Sequence, residues 1–134
     1  MAHVLIADDD EDTRYSLREL LEDAGHVVVA ECGDGAACLD LVRASPDPLV
    51  VLLDYRMPRL DGVEVLRAVA ADSALAACHA FVLVTASPRA AQPAVGLPGW
   101  PPAPVVGKPF DLTELLEAVA EAERRLRLRR EVAG

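Results

Sequence analysis

An α/β fold, with a parallel sheet covered by helices on both faces, is predicted by three features of the 134-residue sequence. Short apolar runs alternate with segments of helical periodicity from end to end, the signature of repeated βα units. One run, Leu49-Val50-Val51-Leu52-Leu53, is apolar at every position, as a central strand buried on both faces must be. The runs also end in polar residues: Asp8 and Asp9 follow the first, and Asp54 follows the third.

Residues 4–7 form the first strand. The next helix carries Leu17, Leu20, Leu21 and Ala24 at i, i+3, i+4, i+7 spacing, and Gly25 closes it. Residues 27–30 are the second strand. Ala36, Ala37, Leu39, Leu41 and Val42 populate a second helix, which Pro46 and Pro48 stop. The third strand, 49–53, leads to a third helix that begins near Gly62 and carries Val63, Val65, Leu66 and Val69. A fourth strand, 81–84, ends in Thr85.

The final helix has Asp111 as its cap and Glu114 three residues later, as in a capping box. Its apolar stripe is Leu112, Leu115, Leu116, Val119 and Leu126. Arg124, Arg125, Arg127, Arg129 and Arg130 close it and complement the helix dipole; read alone, they form a solvated face. One segment breaks the rhythm. Between Ser87 and Val105 lie Pro88, Pro93, Pro98, Pro101, Pro102 and Pro104, and each proline inside a helix costs about 3 kcal/mol. The fourth βα helix is therefore expected to shrink to a turn or two, followed by extended chain and a short fifth strand around Val105 and Val106.

A composition that is 52% hydrophobic suits one domain with a single core. No apolar run has membrane-spanning length, and the first strand runs straight into acids, unlike a signal peptide, so a cytoplasmic protein is expected. Cys32, Cys38 and Cys78 lack metal-ligand or paired spacing and read as reduced packing cysteines. A net charge of -9 argues against direct nucleic-acid binding, which rests on Lys and Arg neutralising phosphates. A cation-binding acidic cluster fits that charge better.

Ligands of open parallel sheets bind outside the carboxyl ends of the strands. Asp8 and Asp9, Asp54, Thr85 and Lys108 all fall at such ends. Clustered carboxylates repel one another, and a hard divalent cation such as Mg2+ relieves the repulsion. A carboxylate beside it can attack phosphorus, with a hydroxyl and an ammonium to meet the phosphoryl oxygens. Asp10, Glu11 and Asp12 read instead as solvated acids at a helix start, and Asp61 as a turn residue that shapes the loop with Gly62. His3, His26 and His79 read as surface or sheet-edge residues. Trp100 reads either as an exposed anchor or as an aromatic folded over the site of the missing helix.

The acidic pair Asp8-Asp9, the stretch Asp54-Tyr55-Arg56-Met57-Pro58-Arg59-Leu60-Asp61-Gly62, the pair Thr85-Ala86 and Lys108-Pro109-Phe110, in that order, resemble the response-regulator receiver family over about residues 3–123. The resemblance implies a flavodoxin-like, doubly wound sheet of five parallel strands in order 2-1-3-4-5. Residues 1–123 would be the receiver and 124–134 a basic extension of its last helix.

By the same resemblance, Asp54 accepts a phosphoryl group from a histidine kinase or a histidine phosphotransfer protein. Asp9 and Asp54 bind Mg2+ directly, Asp8 acts mainly through water, and Arg56 lends its backbone carbonyl. Thr85 is the hydroxyl switch, and Lys108 pairs with the phosphate across a cis bond to Pro109. Ala86 leaves access to the site, and Arg56 and Ser87 tune the lifetime of the phosphate. The protein is then a signalling switch with at most slow self-dephosphorylation rather than an enzyme. Its partners would be the phosphodonor, a downstream protein target and, in a homodimer, a second copy.

Two departures stand out. Val105 replaces the family's switch aromatic, and the prolines replace its fourth helix. They favour an alternative, a degenerate receiver serving as a scaffold or dimerisation module whatever its phosphorylation state. A second alternative is a haloacid-dehalogenase-like phosphatase with Asp8 of Asp8-Asp9-Asp10 as nucleophile. That chemistry needs an acidic pair after the lysine, where this chain offers Asp111, Glu114 and Glu117 on a helix.

Overall fold

The all-apolar runs pair side by side because burial on both faces leaves their backbone groups no partner but one another. In the computed structural model, which describes residues 1–94 and 96–133, the strands are β1 (His3–Ala7), β2 (Val27–Cys32), β3 (Val50–Leu53), β4 (Ala80–Thr85) and β5 (Val105–Gly107). All neighbours are parallel and the order is β2-β1-β3-β4-β5, as expected. Gly134, the last residue of the expected basic extension, lies outside the described residues, as does residue 95 in the proline-rich segment.

Alternate side chains of the central strands feed two cores. Leu5, Val51, Leu53, Phe81 and Leu83 point to one face, where α2 (Gly35–Ala44) and α3 (Gly62–Ala70) contribute Leu39, Val42, Val65, Leu66 and Val69. Val4, Ile6, Val50, Leu52, Val82 and Val84 point to the other, against Leu17 and Leu21 of α1 (Glu11–Asp23) and Leu115 and Val119 of the last helix. Each fully buried side chain of this size contributes about 1.5–3 kcal/mol, so the two faces together fix the register.

Aspartates start the first four helices. Asp10 caps α1 and Asp34 caps α2. Asp61, expected only as a turn residue, forms a full capping box on α3, its carboxylate 2.8 Å from the Glu64 amide and the Glu64 carboxylate 3.1 Å from the Asp61 amide. A short helix absent from the sequence reading, α4 (Ser73–Cys78), follows under an Asp72 cap. Its Ala-rich sequence has no apolar period to signal it.

The expected collapse of the following helix is observed. One turn, α5 (Pro88–Ala91), has Pro88 in its first turn, where a missing N–H is harmless, and a 3-10 turn, Gln92–Ala94, succeeds it. Trp100 is half-buried and packs with buried Ala103 against the α2–α3 core, which decides in favour of the covering role. The Pro104 carbonyl accepts the Leu83 N–H at 2.9 Å, leading the chain into β5.

The last helix, α6 (Leu112–Ala133), runs unbroken through the arginines. They are not uniformly solvated. Nη1 of Arg129 donates to the carbonyls of Ala76, Ala77 and His79 at 3.3, 3.3 and 2.9 Å, closing the C-terminal end of α4. His79, expected at the surface or a sheet edge, directly precedes β4 but is only 3% exposed, and its Nδ1 accepts the Leu49 N–H at 3.0 Å. The ring belongs to the strand ladder because Leu49 lies just before β3, where its amide needs an acceptor.

Arg129→Ala is expected to lower the unfolding free energy by about 1.5–3 kcal/mol in urea titrations, the range for hydrogen bonds to a charged group. Burial, then the Arg129 charge, holds the His79 pKa below its ordinary 6.5, and burial does the same to His26. The fold therefore keeps these rings neutral. Stability is full above pH 6.5 and declines as pH falls below it, because the unfolded chain takes up the protons first. That acid-side decline should be shallower in His79→Gln, measured by unfolding across pH.

Candidate functional site

The strand registers decide which side chains meet. Ala7 lies opposite Leu53, Leu53 opposite Leu83, and Thr85 opposite Gly107. Pairing continues one residue past two of these ends, with the Asp54 N–H donating to the Ala7 carbonyl at 2.9 Å and the Lys108 N–H to the Thr85 carbonyl at 2.8 Å. The residues that follow the strands thus emerge together at one edge of the sheet.

Asp8, Asp9 and Asp54 each offer a carboxylate oxygen, all within 4.8 Å of one another. Asp8 is 2% exposed and Asp54 is 7% exposed, while Asp9 faces solvent. Lys108 bridges the buried pair, its Nζ lying 2.6 Å from Asp8 Oδ2 and 3.2 Å from Asp54 Oδ2. The other oxygen of Asp8 accepts the Asp10 N–H at 2.9 Å. Among the described residues no hydrogen bond reaches the Asp9 carboxylate.

Burial pushes the Asp54 carboxyl up, the Lys108 charge pulls it down, and the Asp8 charge raises it again, with a net upward shift. For Lys108, burial acts downward but its hydrogen bond to the Asp8 carboxylate and the Asp54 charge outweigh it, so the ammonium is held above its ordinary range. Three acids against one ammonium leave an uncompensated negative charge. Hard oxygen donors of this kind suit Mg2+ or Ca2+. The residues present therefore fit a divalent cation.

Around this cluster the loops are tightly drawn. The Gly62 N–H donates to the Tyr55 carbonyl at 2.8 Å, closing the loop after β3. A Cβ at Gly62 would stand 2.6 Å from the Asp54 carbonyl oxygen, so only glycine lets α3 start so near the end of β3. Arg56 turns its guanidinium over the Tyr55 ring, 5.7 Å from the centroid, and lines an open cleft of about 380 Å3 with Asp9, Met57 and Asp61. The Lys108-Pro109 bond is cis.

Thr85 is buried, and its hydroxyl oxygen accepts the Ser87 N–H at 3.0 Å, which fixes the start of the β4–α5 turn. Asp10 stands outside the carboxylate cluster. Its hydrogen bond from Thr13, at 2.6 Å, lowers its pKa and belongs to the cap of α1. Sequence reasoning missed Arg14, whose Nη1 donates to the Asp8 backbone carbonyl at 2.6 Å. Nothing in a single sequence distinguishes it from the other arginines of a helix face.

Comparison with known proteins agrees with this geometry. The family model of the response regulator receiver domain matches residues 4–120. Protein CcdB of Bacillus subtilis is 32% identical over 123 residues, 90% of this chain and 96% of that one. The transcriptional regulatory protein PdtaR of Mycobacterium tuberculosis is 39% identical over 61 residues, 46% of this chain but 29% of its own length. The chain thus matches under a third of such a regulator. A CheY-like receiver domain protein from Methanospirillum hungatei superposes with a TM-score of 0.72 at 32% identity, covering 96% of this chain and 97% of that one.

Because the Lys108 charge pulls the Asp54 carboxyl down, Lys108→Ala should move its pKa further up, read from the side-chain carboxyl carbon in an NMR pH titration. An unchanged or lower value would mean that the two groups are not coupled.

Proposed function

This chain belongs to the response regulator receiver domain family, and from that premise we propose that it is a Mg2+-dependent phosphoacceptor whose acceptor is Asp54. One observation carries the reading: Asp54 is a buried carboxylate at the end of the central strand, within 4.8 Å of two further acids and bonded to a lysine.

The carboxylates of Asp8, Asp9 and Asp54, with the backbone carbonyl of Arg56, a residue that lines the same cleft as Asp9, would hold the cation. When bound, Mg2+ neutralises the crowded carboxylates and the phosphoryl oxygens, which otherwise repel. An Asp54 oxygen then forms a bond to phosphorus while the bond from phosphorus to an imidazole nitrogen of the donor breaks. The electron pair leaves with that nitrogen, and the product is an aspartyl phosphate. Lys108, already hydrogen-bonded to Asp54, pairs with a phosphoryl oxygen, and the Thr85 hydroxyl supplies a donor to another.

The donor is a phosphohistidine on a histidine kinase or phosphotransfer protein, and the readout is a downstream protein or a second copy of the chain. Residues 1–123 act as the receiver and 124–134 as its basic extension, of which 124–133 continue α6. With Val105 where the family places an aromatic, phosphorylation reaches that partner through contacts other than an aromatic swing.

Incubation with a small acyl phosphate and Mg2+, followed by intact mass, tests the reading. The expected result is a gain of one phosphate, lost in Asp54→Ala and on chelation of the metal. An equal gain in Asp54→Ala would overturn it. No gain in the wild-type chain would favour the scaffold role instead.

A further inference from the structure

We propose that Arg14 is a positioning residue for the acidic pair: by holding the Asp8 carbonyl it fixes the Asp8–Asp9 peptide plane and with it the reach of Asp9 toward a cation. The inference rests on the Mg2+ reading above and adds to it a residue outside the ligand set.

Asp9 presents a problem that the rest of the cluster does not. The Asp8 carboxylate is tied by Lys108 and by the Asp10 amide, and Asp54 is buried and tied by Lys108. The Asp9 carboxylate faces solvent with no hydrogen bond among the described residues. Its direction is therefore set by the backbone that carries it. On one side of Asp8 that backbone is fixed by the sheet, the Asp8 N–H donating to the Cys32 carbonyl at 3.0 Å. On the other side, where the peptide leads into Asp9, the fixing partner is Arg14 Nη1 at 2.6 Å.

Arg14 is itself anchored. It sits in the first turns of α1, and its amide donates to the Asp10 carbonyl at 3.1 Å. Its Nε lies 3.6 Å from Glu31, whose other oxygen meets Arg18 at 3.0 Å. Glu31 is opposite Ile6 in the sheet, so the guanidinium ties α1, β1 and β2 together. Gly33 lies alongside the guanidinium: a Cβ there would stand 3.4 Å from Arg14 Nη1, in van der Waals contact.

A guanidinium bonded to the Asp8 backbone also competes with a metal electrostatically, and the two effects have opposite signs. If charge alone mattered, removing the guanidinium would tighten Mg2+ binding. If positioning matters, removal weakens it. Arg14→Met keeps the apolar stem, and Arg14→Lys keeps a charged donor. Mg2+ titrations of each folded protein, followed by the backbone amide shifts of Asp9, Asp54 and Arg56, should give a dissociation constant about tenfold weaker for Arg14→Met, the lower end of the cost of losing a metal ligand's outer partner. Arg14→Lys should recover most of that loss.

In metal-free protein, nitrogen relaxation should report faster backbone motion at Asp9 in Arg14→Met, with the unfolding transition and the rest of the sheet unmoved. Equal or tighter Mg2+ binding by Arg14→Met, or unchanged motion at Asp9, overturns the role. A wild-type chain whose Asp9 and Asp54 amides ignore Mg2+ overturns the metal reading itself, a separate and recognisable result.

Discussion

A single ammonium between two buried carboxylates is the interaction on which this site depends. Lys108 bridges Asp8 and Asp54 where neither acid has much water to solvate it. Without that bridge the two charges would face each other at the edge of a low-dielectric sheet, where the cost of leaving a charge uncompensated is several kcal/mol. The bridge requires β5 to be present and in register, since Lys108 follows it directly. β5 is a three-residue edge strand, so the sheet's weakest member carries its most important cation.

That dependence gives meaning to the proline-rich segment. A full helix before β5 would bury its own apolar face. Here Trp100 and Ala103 perform that burial from an irregular chain, and Pro104 adds its carbonyl to the β4 edge. The core is closed and β5 is delivered, but by a segment with little internal hydrogen bonding of its own. Such a segment is held mainly by what it packs against.

Much of this was legible in the sequence. The run 49–53 reads as a central strand and Asp54 follows it, so period and polarity together placed Asp54 at the carboxyl edge, where it meets two further acids. The strand order and the site residues followed from the resemblance of ordered motifs rather than from hydropathy. What escaped detection depends on contacts distant in sequence. α4 is too rich in alanine to show a period. His79 is buried because the amide of Leu49, thirty residues away, needs an acceptor. Arg14 and Arg129 both look like solvent-facing charges on a helix, yet each donates to backbone carbonyls of another segment. A long cation that snorkels and one that caps a distant element have the same local sequence.

The reach of Arg129 separates two ways of drawing a domain. By descent, the recognisable unit ends at residue 120. By contact, it does not, because a residue nine positions further on secures three carbonyls at the end of α4, against the entry to β4. A fragment cut where ancestry stops would keep every residue of the acidic edge and lose a clasp at the opposite end of the sheet. Homology marks what the family shares, whereas the folding unit of this chain includes a stretch that the family pattern does not define.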